Sequence, residues 1–216
     1  DPGRDAGVAS GVPYPPIERR RRASRGPRAG IGLVAVLLVA AARAASGQGP
    51  VSGQVSIVER AGDITEDLGN VVVLLEPVGT PRPRLAPTKA QIAMERRRFS
   101  PGDVVVTPGS AVEFPNRDPF DHNIFTNEPG SEFDAGLYGR GESASATFRK
   151  VGAVPLYCNI HSRMVGHVVV VGTPFVAQAG ADGRWSVPRV PAGRYMLRFW
   201  HSRAGQDYKA SGEKYE

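Results

Sequence analysis

Cysteine is all but missing from this chain: Cys158 is the only one in 216 residues. No intrachain disulfide can form, so the fold rests on its core, with any bound metal adding support. Sustained helical periodicity is missing too, and the composition is hostile to helices, with 26 glycines and 19 prolines; turn-rich β structure tolerates both. A basic stripe is also lacking, although the formal charge is +6. Eight arginines (4, 19–22, 25, 28 and 43) stand against Asp1, Asp5 and Glu18 in the first 48 residues, and these account for five of the six excess charges. The remainder is nearly neutral and has none of the electrostatic footprint of a phosphate-binding surface, which excludes nucleic acid as the expected partner.

Residues 1–48 read as a leader. Arginines 19–28 precede an apolar stretch over 31–42, and Ala-Arg-Ala follows at 42–44. That is the order of a charged region, a short hydrophobic region and a small-residue cleavage site. As a membrane anchor, the twelve-residue stretch would span only ~18 Å of a ~30 Å hydrocarbon core. An export signal is therefore expected, with the choice between the general and twin-arginine routes left open, and a periplasmic or secreted product. An unpaired thiol in that compartment invites oxidation unless it is occupied.

From Val51 onward, short β-branched runs alternate with Gly, Pro, Asn and Asp. The pattern predicts strands at 54–59, 71–76, 89–94, 103–107, 111–115, 122–126, 144–149, 153–158, 167–171, 174–179, 184–188 and 194–200, and hence an all-β chain of sandwiches. Pro81, Pro83 and Pro87, and then Gly172 to Pro174, mark candidate boundaries. The last part reads as a hairpin, with a turn at Asp182-Gly183 and a further one at Pro191-Ala192-Gly193.

The stretch Leu156 to Val171 carries the chemistry: Cys158, His161 and Met164 recur every third residue in one inter-strand loop. The segment Phe114-Pro-Asn-Arg-Asp-Pro-Phe-Asp-His-Asn-Ile-Phe125 adds His122, 36 residues before Cys158, and a strand that remote is expected to make the site a link across the sandwich. A thiolate, two imidazoles and a weak thioether suit copper in both its oxidation states.

These residues resemble a cupredoxin over about 88–172, with the short C-x-x-H-x-x-M loop of amicyanin-like members. The resemblance implies one type 1 copper ion held by His122, Cys158 and His161 as strong ligands and Met164 as the weak axial one, with Asn123 steadying the cysteine loop. It implies a Greek-key cupredoxin domain over 85–172. Residues 50–76 and 175–201 resemble the early and late strands of a carboxypeptidase-regulatory-like, transthyretin-like sandwich, so 49–84 and 173–216 are expected to form a split second module around the copper domain. The strand that usually follows Trp200-His201 in that family is not evident in 208–216.

Plainer readings stand beside these. A lone cysteine is most often an inert buried thiol; Cys158 with His122 or His161 could be a nucleophile pair; and zinc accepts Cys and His but takes methionine poorly. His167 and His201 are expected to be ordinary histidines, Met94 and Met196 core fillers, and Glu132 and Asp134 parts of a solvated loop. Arg163 lies either on the rim of the copper site, where it would attract an acidic partner, or simply in solvent. The function expected is single-electron carriage between a protein donor and a protein acceptor, without enzymatic turnover, and with envelope association through the second module. A copper-holding envelope, adhesion or storage protein is the alternative.

Overall fold

The computed structural model describes residues 32–36, 47–60, 63–64, 69–202 and 214–215. Most of the expected leader, including its arginine run and Ala-Arg-Ala, lies outside the described residues. The described residues form strands and turns and contain no α-helix.

The first strands are β1 (Gly32–Val36), β2 (Gln48–Arg60), β3 (Asp63–Ile64) and β4 (Val72–Pro77). Then come β5 (Lys89–Gln91), β6 (Ala93–Glu95), β7 (Arg98–Ser100), β8 (Asp103–Val106) and β9 (Ser110–Pro115). They are followed by β10 (His122–Thr126), β11 (Phe133–Tyr138), β12 (Ser143–Phe148), β13 (Gly152–Tyr157) and β14 (Val165–Val170). The chain closes with β15 (Val176–Gln178), β16 (Arg184–Pro191), β17 (Tyr195–Trp200) and β18 (Lys214–Tyr215).

One apolar core gathers residues from 92 to 170. A five-stranded sheet in the order β11-β10-β13-β14-β8 contributes Ile124, Val154, Leu156, Val168 and Val170, and the three-stranded sheet β12-β9-β5 contributes Val112, Phe114 and Phe148. Period-two alternation explains the inward choice, as in β9, where Ser110, Val112 and Phe114 are buried and Glu113 is exposed. Phe114 stacks on Phe133 at 5.6 Å and meets Phe148 edge-on at 6.5 Å, so three aromatic rings fix the spacing of the layers.

A second core gathers Val55, Ile57, Val73 and Leu75 with Trp185, Val187, Leu197 and Phe199. It lies between the sheet β1-β2-β16, with β3 on β2, and the sheet β15-β4-β17-β18. The terminal segment is therefore not the hairpin that its turns suggested: β16 pairs with β2 and β17 with β4. The turn after Pro191 carries the chain from one sheet to the other, because Trp185 and Leu197 both bury themselves in the same core from opposite sides. The indole of Trp185 lies on Gly53, where a Cβ would come within 2.9 Å of the ring. At the end of the chain, β18 pairs with Tyr195 and Met196, adding a two-residue strand in the region where none was evident. Met94 is fully buried and Met196 half-buried. His201 is buried, and His167 bonds Asp103 at 2.8 Å beside the ring of Trp200.

Candidate metal centre

His122 is the first residue of β10 and Cys158 directly follows β13; the two strands are neighbours in one sheet, paired at Phe125 and Tyr157. The expected link across the sandwich is thus corrected: antiparallel pairing alone brings the start of β10 beside the end of β13. The loop 158–164 then turns back into β14, closed by the Met164 N–H donating to the His161 carbonyl at 2.9 Å.

Three donor atoms converge there. Cys158 Sγ lies 3.7 Å from His122 Nδ1 and 3.9 Å from His161 Nδ1, and the three atoms fall within 4.8 Å of one another. Such separations suit donors that each sit ~2.0–2.3 Å from a shared ion. The set contains sulfur and imidazole nitrogen and no carboxylate oxygen, which favours copper or zinc over magnesium or calcium. Cys158 and His122 are buried, whereas His161 keeps one edge in solvent. Met164 is buried in the same core as Cys158, at the end of the loop.

Surrounding groups hold these donors in place. Asn123 Oδ1 accepts a hydrogen bond from Asn159 Nδ2 at 2.8 Å, tying β10 to the residue after Cys158. Asn123 Nδ2 donates in turn to Asp134 Oδ1 at 2.6 Å and to the Gly136 carbonyl at 3.2 Å. Asp134 is exposed, as expected, but lies on strand β11 rather than in a loop and braces Asn123; the neighbouring Glu132 is exposed and accepts the Gly130 N–H.

The residue that sequence reasoning missed is Asp118. It is buried, and its Oδ2 lies 2.8 Å from His122 Nε2, the ring nitrogen opposite the cysteine. Its carboxylate also accepts the backbone N–H groups of Arg96 at 2.7 Å and Arg97 at 2.9 Å. Burial pushes the Asp118 pKa up, but the N–H of Arg97, His122 and the N–H of Arg96 together outweigh it and hold the carboxyl below its ordinary range. A carboxylate on Nε2 orients the ring and leaves Nδ1 free to act as a ligand. Asn116 holds the segment in place: its Oδ1 accepts the Asp118 N–H at 3.0 Å, and its Nδ2 donates to the carbonyls of Phe120 and Tyr138 at 2.9 and 3.0 Å. Only a general cue precedes this in the sequence, an Asx-type turn at Asn116; nothing there separates buried Asp118 from exposed Asp121.

Arg96 and Arg97 form the two-residue turn between β6 and β7, at φ 54° and 57°. Two successive positive φ values are the geometry that normally selects Asn-Gly, and arginine there costs roughly 1–2 kcal/mol per residue. The two bonds to Asp118 offset part of that strain. Arg97 lies 5.1 Å above the Phe120 ring, which in turn sits 5.2 Å from the His122 ring and 5.5 Å from that of His161.

Burial lowers the His161 pKa, reinforced by the charges of His122 and Arg97 and partly opposed by Asp118. Burial, followed by the charge at Cys158, raises the Tyr138 phenol far above its ordinary value. That hydroxyl donates to the Phe114 carbonyl at 2.8 Å.

Residues 86–171 match the model of the copper binding proteins, plastocyanin/azurin family. Among solved structures the chain is similar to a purple cupredoxin from Nitrosopumilus maritimus, at 24% identity over 38% of this chain and 99% of that one, with a TM-score of 0.35. It is similar to amicyanin from Paracoccus versutus, at 19% identity over 46% and 97% of the two chains, with a TM-score of 0.36. It is also similar to a copper-containing nitrite reductase from Thermus scotoductus, at 27% identity and a TM-score of 0.37, over 44% of this chain but only 25% of that enzyme. Comparison with curated proteins finds no match. The match to the copper-binding family stops short of the second core, none of whose residues lies within 86–171. Together, the match and the His122–Cys158–His161 cluster support copper as the cofactor and a type 1 copper protein as the coarse description.

Proposed function

We propose that this chain is an exported type 1 copper protein that carries single electrons between protein partners, without substrate turnover. The observation that carries the reading is the approach of two imidazole Nδ1 atoms to one buried thiol at 3.7 and 3.9 Å, beside a histidine edge that reaches solvent. His122, Cys158 and His161 would hold the ion, with Met164 as a weak fourth ligand and Asn123 steadying the cysteine loop. Copper, when bound, supplies a one-electron couple. The chain's own part is to keep the ligands still: β10 and β13 carry His122 and Cys158, Asp118 fixes one ring, and the Asn123–Asn159 bond fixes the loop. Ligands held this firmly change little between oxidation states, which favours rapid exchange.

In this reading 85–172 is the copper domain, and 49–84 with 173–216 is a carboxypeptidase-regulatory-like sandwich that docks the protein to a partner or envelope surface. The separate apolar cores support the division. Export to the periplasm or beyond is supported by the arginine run ahead of the apolar stretch at 31–42. Voltammetry of the copper-loaded chain tests the electron-carrier role. A reversible one-electron wave is expected, with copper retained through repeated cycles; copper released on reduction would instead favour a storage or envelope protein.

A further inference from the structure

Beside the exposed edge of His161 runs an open groove of about 750 Å³. Four arginines line it, Arg96, Arg97, Arg98 and Arg163, and no acidic residue does. The crowding is not a consequence of general basicity: residues 85–172 carry nine basic and nine acidic side chains, so nearly half of the segment's cations face one groove. Apolar surface lies among the charges, since Ile160 and Val165 are each 48% exposed and both line the groove. Arg96 and Arg97 hold their positions against backbone preference, in a turn pinned from below by the carboxylate that also orients His122. A turn that needed only to reverse the chain would be more stable with Asn-Gly. Arginines retained in a strained, pinned turn point to a use for their side chains.

We propose that this groove is the docking site of an acidic redox protein, whose carboxylates meet Arg96, Arg97, Arg98 and Arg163 while an apolar contact on Ile160 and Val165 brings its redox group to the His161 edge. The inference deepens the electron-carrier reading and rests on it. The reaction it serves is balanced by one electron: the partner's reduced centre loses it and Cu(II) becomes Cu(I), with no bond or proton exchanged. An arginine-lined site sharpens association by raising the local concentration of an oppositely charged partner, and salt screens that gain. The planar guanidinium groups favour paired contacts with carboxylates over contact with a diffuse negative field.

The test uses two redox proteins of opposite surface charge as probes, an acidic plant-type [2Fe–2S] ferredoxin and a lysine-rich cytochrome c. Binding to the full chain without metal is measured by calorimetry, and electron exchange with the copper-loaded chain by stopped flow, each at 20 and 200 mM salt. The ferredoxin is expected to bind and the cytochrome not, with ferredoxin affinity falling roughly tenfold over that salt range. The double variant Arg96→Asn/Arg97→Gly suits the turn better than the native pair, so it is expected to fold; it should lose severalfold in ferredoxin affinity and much of the salt dependence. Arg163→Gln, in the loop between Cys158 and Met164, should do the same independently. Indifference to the probe's charge, or unchanged binding in both variants, would overturn the proposal. So would equally tight binding of phosphatidylserine vesicles or duplex DNA, which would make the groove a general anion surface. Binding without electron exchange would instead count against the electron-carrier reading and leave the docking site standing.

Discussion

Replacing Asp118 with asparagine keeps the side chain's shape and removes the charge facing His122 Nε2. The loss falls on a proposed copper ligand, and outer partners of metal-binding histidines typically change affinity by ~10–100-fold. Asp118→Asn is therefore expected to weaken Cu(II) binding by about that factor in a chelator competition. It should also raise the midpoint potential, because Cu(II), the more highly charged state, loses the nearby negative charge. Unchanged affinity and potential would show that the contact is merely structural. The convergence of Cys158, His161 and His122 was legible, since Cys158 and His161 share one loop with Met164 and His122 sits beside an asparagine. Asp118 was not, because its role depends on β6 and β7 bringing the Arg96–Arg97 turn over it, a contact across 21–22 residues of sequence.

Strands were legible where β-branched residues cluster. Each of the twelve predicted strands overlaps a strand of the structure. Two strands within 86–171 were missed, β7 and β11: neither holds a β-branched residue, and they are recruited by pairing with β6 and β10. Partners were harder to read than strands, as the segment read as a hairpin shows: β16 and β17 join different sheets, a choice made by a shared core that local turn signals do not encode. Strand β14 supplies a test of packing at this scale. A Cβ at Gly166 would lie 2.5 Å from the Gly102 carbonyl oxygen and 3.1 Å from the Phe99 ring. Gly166→Ala is expected to push β14 away from the turn before β8 and cost roughly 1–3 kcal/mol in denaturant unfolding of the metal-free chain. Gly102→Ala meets open space and should cost far less; equal effects would contradict this account of the close approach.

The molecule as a whole divides its chemistry unevenly. One core carries the thiol, both facing imidazoles and the arginine groove, while the other, built around Trp185 and Phe199, has none of these. All four proposed ligands lie within 86–171, the part that matches the copper-binding family. The central claim is that Cys158, flanked by His122 and His161, binds copper as a type 1 site. Its most direct test is the visible absorption spectrum of the full chain after addition of Cu(II), set beside that of Cys158→Ser. The account predicts an intense thiolate-to-copper charge-transfer band that is absent from the serine variant; a colourless native protein under copper saturation, or a band that survives the substitution, would contradict it.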